Sequence, residues 1–109
     1  MNVIDVVQSP EDGVDKETRL LFDGPGLKLT QLTLRRGKAL SEHASPDPAI
    51  IECVSGTGTL TSRGVEVALV PGRRVVLGAG EPHGIAAGDL LAIVLTRFTS
   101  AARPTDPST

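Results

Sequence analysis

Along this chain, short apolar-rich runs alternate with polar positions, and glycine or proline interrupts nearly every run. No long window repeats apolar residues at helical spacing, so nothing beyond a single helical turn is expected. Bounded runs of this kind predict strands over residues 3–7, 19–22, 28–35, 49–54, 58–63, 65–69, 74–77 and 90–98, with a further short strand over 83–86. The run from 90 to 95 (LLAIVL) is apolar without alternation, which reads as a strand covered on both faces. Many short strands separated by turns predict an all-β sandwich or barrel.

The turns have physical causes. Ser55-Gly56 and Thr57-Gly58 are expected to surround a sharp reversal, where glycine supplies a positive φ at little cost. Arg63-Gly64 suits a tight hairpin between 59–62 and 65–69. Pro71-Gly72 fits the middle of a type II turn. Ala87-Gly88-Asp89 is expected to separate the last two strands. The acidic stretch 11–17 reads as a solvated loop, or as one turn of helix.

A length of 109 residues suits one domain with a core able to fold unaided. We assign that domain to residues 1–98. Residues 99–109 (TSAARPTDPST) are polar and proline-bearing, so they read as a mobile tail. The formal net charge of -2 gives no general affinity for polyanions. Phe22 and Phe98 are the only aromatic residues of the Phe, Tyr and Trp set, too few for stacking platforms that read bases. They are expected to pack in the core or at a dimer contact. No nucleic-acid partner is therefore expected. The longest apolar run is far too short to span a bilayer. The first fifteen residues lack a basic region followed by an apolar one, so no signal peptide and no membrane partner are expected. The single cysteine, Cys53, can form no intrachain disulfide. A cytoplasmic protein is the default reading.

Two glycine-punctuated segments carry the candidate chemistry. In the first, residues 37–56, Gly37 is followed after five residues by His43, then by Ser45, Ala49 and Gly56. In the second, residues 72–87, Gly72 is followed by Gly78, Gly80, His83 and Ala87. These spacings resemble the two signature motifs of the cupin family. Its first motif is usually Gly, five residues, His-x-His, three or four residues, Glu, six residues, Gly. Its second is usually Gly, five residues, Pro-x-Gly, two residues, His, three residues, Asn. Every spacing is kept here. Gly37, His43, Gly56, Gly72, Gly80 and His83 match, whereas Ser45, Ala49, Gly78 and Ala87 depart. The resemblance covers roughly residues 27–98.

The resemblance implies a double-stranded β-helix, the small jelly-roll barrel of RmlC-like bacterial cupins, with its site inside. Many cupins hold a divalent metal (Zn, Ni, Mn or Fe) with two His and a Glu of the first motif and a His of the second. Alternate residues of a strand face the same side, so His-x-His aims two imidazoles inward. Here only His43 and His83 remain as metal candidates, and stable first-row sites generally use three or four protein ligands. A partly lost metal site is therefore expected. If Ala49 faces inward, Ile51 and Cys53 do so by parity and Glu52 points out. The expected ligand pocket is thus His43, Ser45, Ala49, Ile51, Cys53 and His83. Asp47 sits in a loop and can bend inward, within limits set by Pro46 and Pro48.

The bland readings stand beside these. His43 and His83 either share a ligand-facing pocket or persist as hydrogen-bonding barrel residues. A neutral His pair suits carboxylate binding, or acid and base work near pH 7. Cys53 within AIIECV reads as a small buried apolar residue. Arg35, Arg36, Lys38, Arg73 and Arg74 read as solvated faces or as a modest anion site at the barrel mouth, which Arg35 reaches if its parity allows. Two functions remain open, beside a purely structural dimerisation module, which explains less well why both histidines are kept. One is a small-molecule-binding cupin with a role in sensing, sequestration or accessory binding. The other is a metal-dependent cupin enzyme, of isomerase or dioxygenase type, with a site remodelled around His43 and His83. Strand 3–7 is expected to pair with an edge strand, in cis or across a homodimer, because open edges need covering.

Overall fold

The computed structural model describes residues 1–99. The expected tail, 99–109, lies outside the described residues from position 100 onward. Among the described residues there is no helix, so none is long and apolar enough to cross a membrane. Seven strands form one antiparallel sheet: β1 (Lys16–Gly24), β2 (Leu27–Arg35), β3 (Ala39–His43), β4 (Ala49–Ser62), β5 (Val65–Leu69), β6 (Arg74–Leu77) and β7 (His83–Arg97). The order is β1-β2-β7-β4-β5, with β3 on β7 and β6 on β4.

Two long strands organise everything. β7 pairs with β2 and β4 through its second half, and with β3 and β4 through its first. That double coverage explains its unbroken apolar run: Leu91, Ala92 and Ile93 are all at most 1% exposed, although they point to alternate faces. The core gathers Leu32 and Leu34 of β2, Ile51, Cys53 and Leu60 of β4, Leu69, Leu77, Ile85, Leu91 and Ile93. The all-β jelly-roll architecture is as the sequence predicts.

Several boundaries differ. The expected strands 49–54 and 58–63 are one strand, and so are 83–86 and 90–98. The chain does not reverse at Gly56. It passes through irregularities between Cys53 and Ser55 and between Gly56 and Gly58, so β4 bends while still paired to β7. Gly56 has φ 73°, and a Cβ there would overlap the Leu90 carbonyl. Its glycine therefore serves a close strand approach as well as a positive φ. Nor does Ala87-Gly88-Asp89 end a strand, since it lies within β7. The other two turns are as expected. Arg63 (φ 50°) and Gly64 (φ 80°) both adopt positive φ in the β4–β5 hairpin, as a type I′ turn requires. Arg73 N–H donates to Val70 O at 3.0 Å across Pro71-Gly72, with Gly72 at φ 92°.

Residues 3–7 are not a strand. Instead, the Gln31 side chain acts as a one-residue edge: it accepts from Val7 N–H at 2.9 Å and donates to Val7 O at 2.6 Å. Ser9 Oγ bonds Thr33 Oγ1 at 2.8 Å. Arg35 donates to Pro10 O, to Val14 O and to Glu17 Oε1. Gln31, Thr33 and Arg35 alternate along β2 on the face opposite Leu32 and Leu34, and they strap the N-terminal segment to the barrel. Arg35 is 1% exposed, so it neither lies on a solvated face nor reaches the barrel mouth. The acidic stretch 11–17 is bound by arginines, through Glu17 to Arg35 and Asp15 to Arg36, and its last residues open β1. Phe22 sits half-buried against Gly24 and Phe98 is exposed.

Candidate functional site

The end of β3 meets the start of β7. In their antiparallel register the Cα of His43 stands opposite that of His83, and directly opposed residues share a face. The two imidazole centroids are 4.8 Å apart, with planes tilted by 50°. Two residues separated by forty positions in sequence are thus neighbours, as the motif spacing implied. His83 is 8% exposed and His43 is open to solvent. Nδ1 of His43 lies 3.3 Å from Ser41 O, and Nδ1 of His83 lies 3.2 Å from Glu81 O. A carbonyl only accepts, so each Nδ1 carries the proton when it makes that bond, and each neutral ring is left with a lone pair on Nε2.

Both rings line a cavity of about 280 Å³ at this end of the barrel. Ser45, Asp47, Ala49, Leu77, Glu81, Leu95 and Arg97 line it too. The 43–49 loop is folded inward by its own polar groups. Asp47 N–H donates to Ser45 Oγ at 3.2 Å, and Gly80 N–H donates to Ser45 O at 2.7 Å. Glu81 Oε1 accepts from Gly78 N–H at 2.9 Å, which shapes the turn leading into His83. Asp47, only 8% exposed, receives Arg97 Nη2 at 2.8 Å. The inward bend of Asp47 is therefore real, but its direction is set by a cation.

Of the expected pocket residues, His43, Ser45, Ala49 and His83 line the cavity. Ile51 and Cys53 do not, and are corrected here to core residues. The parity is right, since Ala49, Ile51 and Cys53 are all buried, but two and four residues along a strand carry the chain about 7 and 13 Å deeper into the barrel. Burial pushes the Cys53 thiol above its ordinary value of 9.0, and neighbouring Glu52 adds to that. Its S–H points at the Ser55 and Gly56 carbonyls, 3.7 and 3.6 Å away. Cys53 is an inert core thiol. Glu52 does point out, and it pairs with Arg74 at 3.2 Å.

Arg97 is the residue the sequence reading missed. It lies on β7 directly opposite Ala49, and Ala49 is also opposite Leu77 of β6. Sequence alone offers one usable signal, the polar end of an otherwise apolar strand, and that signal does not give the register.

A divalent metal does not fit this donor set. Ala49 offers no donor where the cupin pattern has Glu, Ser45 Oγ already accepts from Asp47 N–H, and Cys53 is off the cavity. Among the described residues no group of three His, Cys, Asp or Glu is placed to hold a metal. A guanidinium faces the same space, and its positive charge opposes a second cation.

An antiparallel jelly roll with a polar cavity at one open end is the cupin architecture, and this chain has the cupin fold. No protein-family model matches the sequence, and no curated protein does. Solved structures do match. An RmlC-like cupin protein from Desulfovibrio desulfuricans superposes with TM-score 0.78 at 18% identity, covering 90% of this chain and 96% of the other. A conserved protein of unknown function from Streptococcus pyogenes, SPY1581, gives TM-score 0.73 at 22% identity, covering 94% and 98%. The DMSP lyase DddQ from Ruegeria pomeroyi gives TM-score 0.72 at 17% identity, covering 78% of this chain and 47% of the other. Identities this low speak to the fold alone.

Proposed function

We propose that this protein binds a small polar molecule in the cavity at the mouth of its barrel, through a cupin site whose metal-binding capacity is partly lost. Its role is sensing, sequestration or accessory binding. One observation carries the reading: two imidazoles 4.8 Å apart border a cavity of about 280 Å³, and among the described residues no group of three His, Cys, Asp or Glu is placed to hold a metal. A cavity lined by a few convergent polar groups is the usual form of a small-molecule site.

The test is elemental analysis of protein purified without added metal, repeated after dialysis against Zn, Ni, Mn or Fe and in His43→Ala and His83→Ala. Sub-stoichiometric metal throughout is expected. Near-stoichiometric metal that disappears in both variants would overturn the reading.

A second reading is an enzyme of isomerase type, in which the imidazoles move a proton. The Nδ1 bonds to Ser41 O and Glu81 O favour it, because they leave Nε2 able to accept one. The dioxygenase type has less support, since the donor set does not suit a metal. A lyase among the fold neighbours, of which this chain covers 47%, supports the enzyme reading. Turnover lost in both His→Ala variants while ligand still binds would favour the enzyme.

We further propose a cytoplasmic homodimer without nucleic-acid or membrane partners. The net charge of -2 supports the absence of a polyanion partner. Exposed Val3, Ile4 and Val6, leading into the strap at Gln31, support a second copy as partner. Sedimentation distinguishes dimer from monomer.

A further inference from the structure

We infer that the molecule held in this cavity is a small hydroxy-carboxylate, with its carboxylate on Arg97 and its hydroxyl on the imidazoles. The inference rests on the reading of the cavity as a ligand site and names the chemistry that site selects.

Arg97 borders the cavity and has donors to spare. Nη2 bonds Asp47, whereas Nε is buried with no hydrogen-bond partner among the described residues. A guanidinium carries five N–H donors, and a buried donor left unmet is costly. Opposite it, Ala49 presents only a methyl group, which leaves room beside the guanidinium.

A second cation stands beside it. Lys28 of β2 is directly opposite Arg97 in the register, so the two share the inward face at the mouth. Directly opposed like charges are unfavourable unless something anionic lies between or near them. Arg97 has Asp47, and Lys28, which is in none of the ion pairs among the described residues, stands opposite Asp23 of β1 on its other side. An anion entering here gains a fork-shaped donor from Arg97, while Lys28, which does not line the cavity, adds only its longer-range charge.

The anion is a carboxylate rather than a phosphate because Asp47 and Glu81 line the same cavity. Each oxygen pair there repels a dianion about twice as strongly as a monoanion. On the other wall, the imidazoles offer Nε2 lone pairs when Nδ1 donates to Ser41 O and Glu81 O. Lone pairs call for a donor, and a hydroxyl on the ligand supplies one.

The experiment titrates the protein with D- and L-lactate, matched lactamide, and inorganic phosphate at low ionic strength, following the imidazole and Arg97 Nε–H resonances. Lactate is expected to bind about tenfold more tightly than lactamide. In Arg97→Gln that preference disappears. Because this change strips Asp47 of its cation, the paired variant Asp47→Asn with Arg97→Gln supplies a second test, and it too loses the preference. In Lys28→Gln lactate weakens about threefold and its salt dependence shrinks. Equal affinity for lactate and lactamide overturns the carboxylate while leaving the small-molecule reading intact. Phosphate binding more tightly than lactate overturns the choice of anion. If neither lactate nor lactamide shifts the resonances by about 50 mM, a level that detects even very weak binding, the inference and the reading beneath it both fail.

Discussion

Arg35 and Arg97 are both arginines near the ends of central strands, and they do opposite things. Arg35 faces the outside of the sheet yet is 1% exposed, because residues 10–17 wrap over it and supply three acceptors. Arg97 faces the inside yet keeps a 35% exposed side chain, because the barrel is open there. One guanidinium is consumed by the chain itself. The other has one acceptor among the described residues, Asp47, and borders a cavity. Whether a buried cation is structural or available to a ligand is decided by who supplies its acceptors, not by which face of the sheet it occupies.

The sharpest way to break that contrast is to remove Arg35. Arg35→Ala leaves the carbonyls of Pro10 and Val14 without their donor and frees the N-terminal strap. A loss of about 3 kcal/mol in urea unfolding is expected, below the full value of a buried pair because Glu17 is partly exposed. Ligand affinity at the far cavity should not change. A drop in affinity with unchanged stability would reverse the roles assigned to the two arginines.

Gln31→Ala sharpens the same point with a smaller effect. It removes the donor and acceptor that hold Val7, and about 1–2 kcal/mol should be lost. Amide exchange at Val7 should rise at the same time. Unaltered protection at Val7 would mean that the strap is held by something other than Gln31.

The sequence made some of this visible and hid the rest for identifiable reasons. The spacing from Gly37 to His43 and from Gly72 to His83 was enough to foresee two imidazoles on one wall, because alternation and turn glycines constrain the path between them. The alternation also foresaw Ala49, Ile51 and Cys53 on one face, but alternation carries no depth, so the last two were assigned to the pocket when they fill the core. β3 (ALSEH) went unseen because its residues are mostly exposed and it carries a single half-buried leucine. Residues 3–7 look like a strand and are not one, since β2 meets them with side chains rather than a backbone edge. Arg97 was passed over because its facing depends on pairing with Ala49, forty-eight positions earlier, and nothing local reports that register.

Cys53 separates core from cavity by its reactivity. With its thiol pushed up by burial, it stays protonated in the folded state where an unfolded chain would ionise. The sign follows from linkage: a raised folded value favours the fold below the ordinary 9.0, and that contribution fades as pH rises beyond it. A small decline in unfolding free energy above this pH is expected in the native protein and not in Cys53→Ala. Native protein should also resist thiol reagents at pH 8. Fast labelling without unfolding would move Cys53 back to the cavity wall.

The central claim is the shared wall of His43 and His83, and the chain contains only two histidines, so their ring protons can be assigned without ambiguity. A nuclear Overhauser spectrum of the unmodified protein measures their proximity directly. Cross-peaks between the rings are expected, lost in either His→Ala variant; well-resolved ring signals with no cross-peak would contradict the site itself.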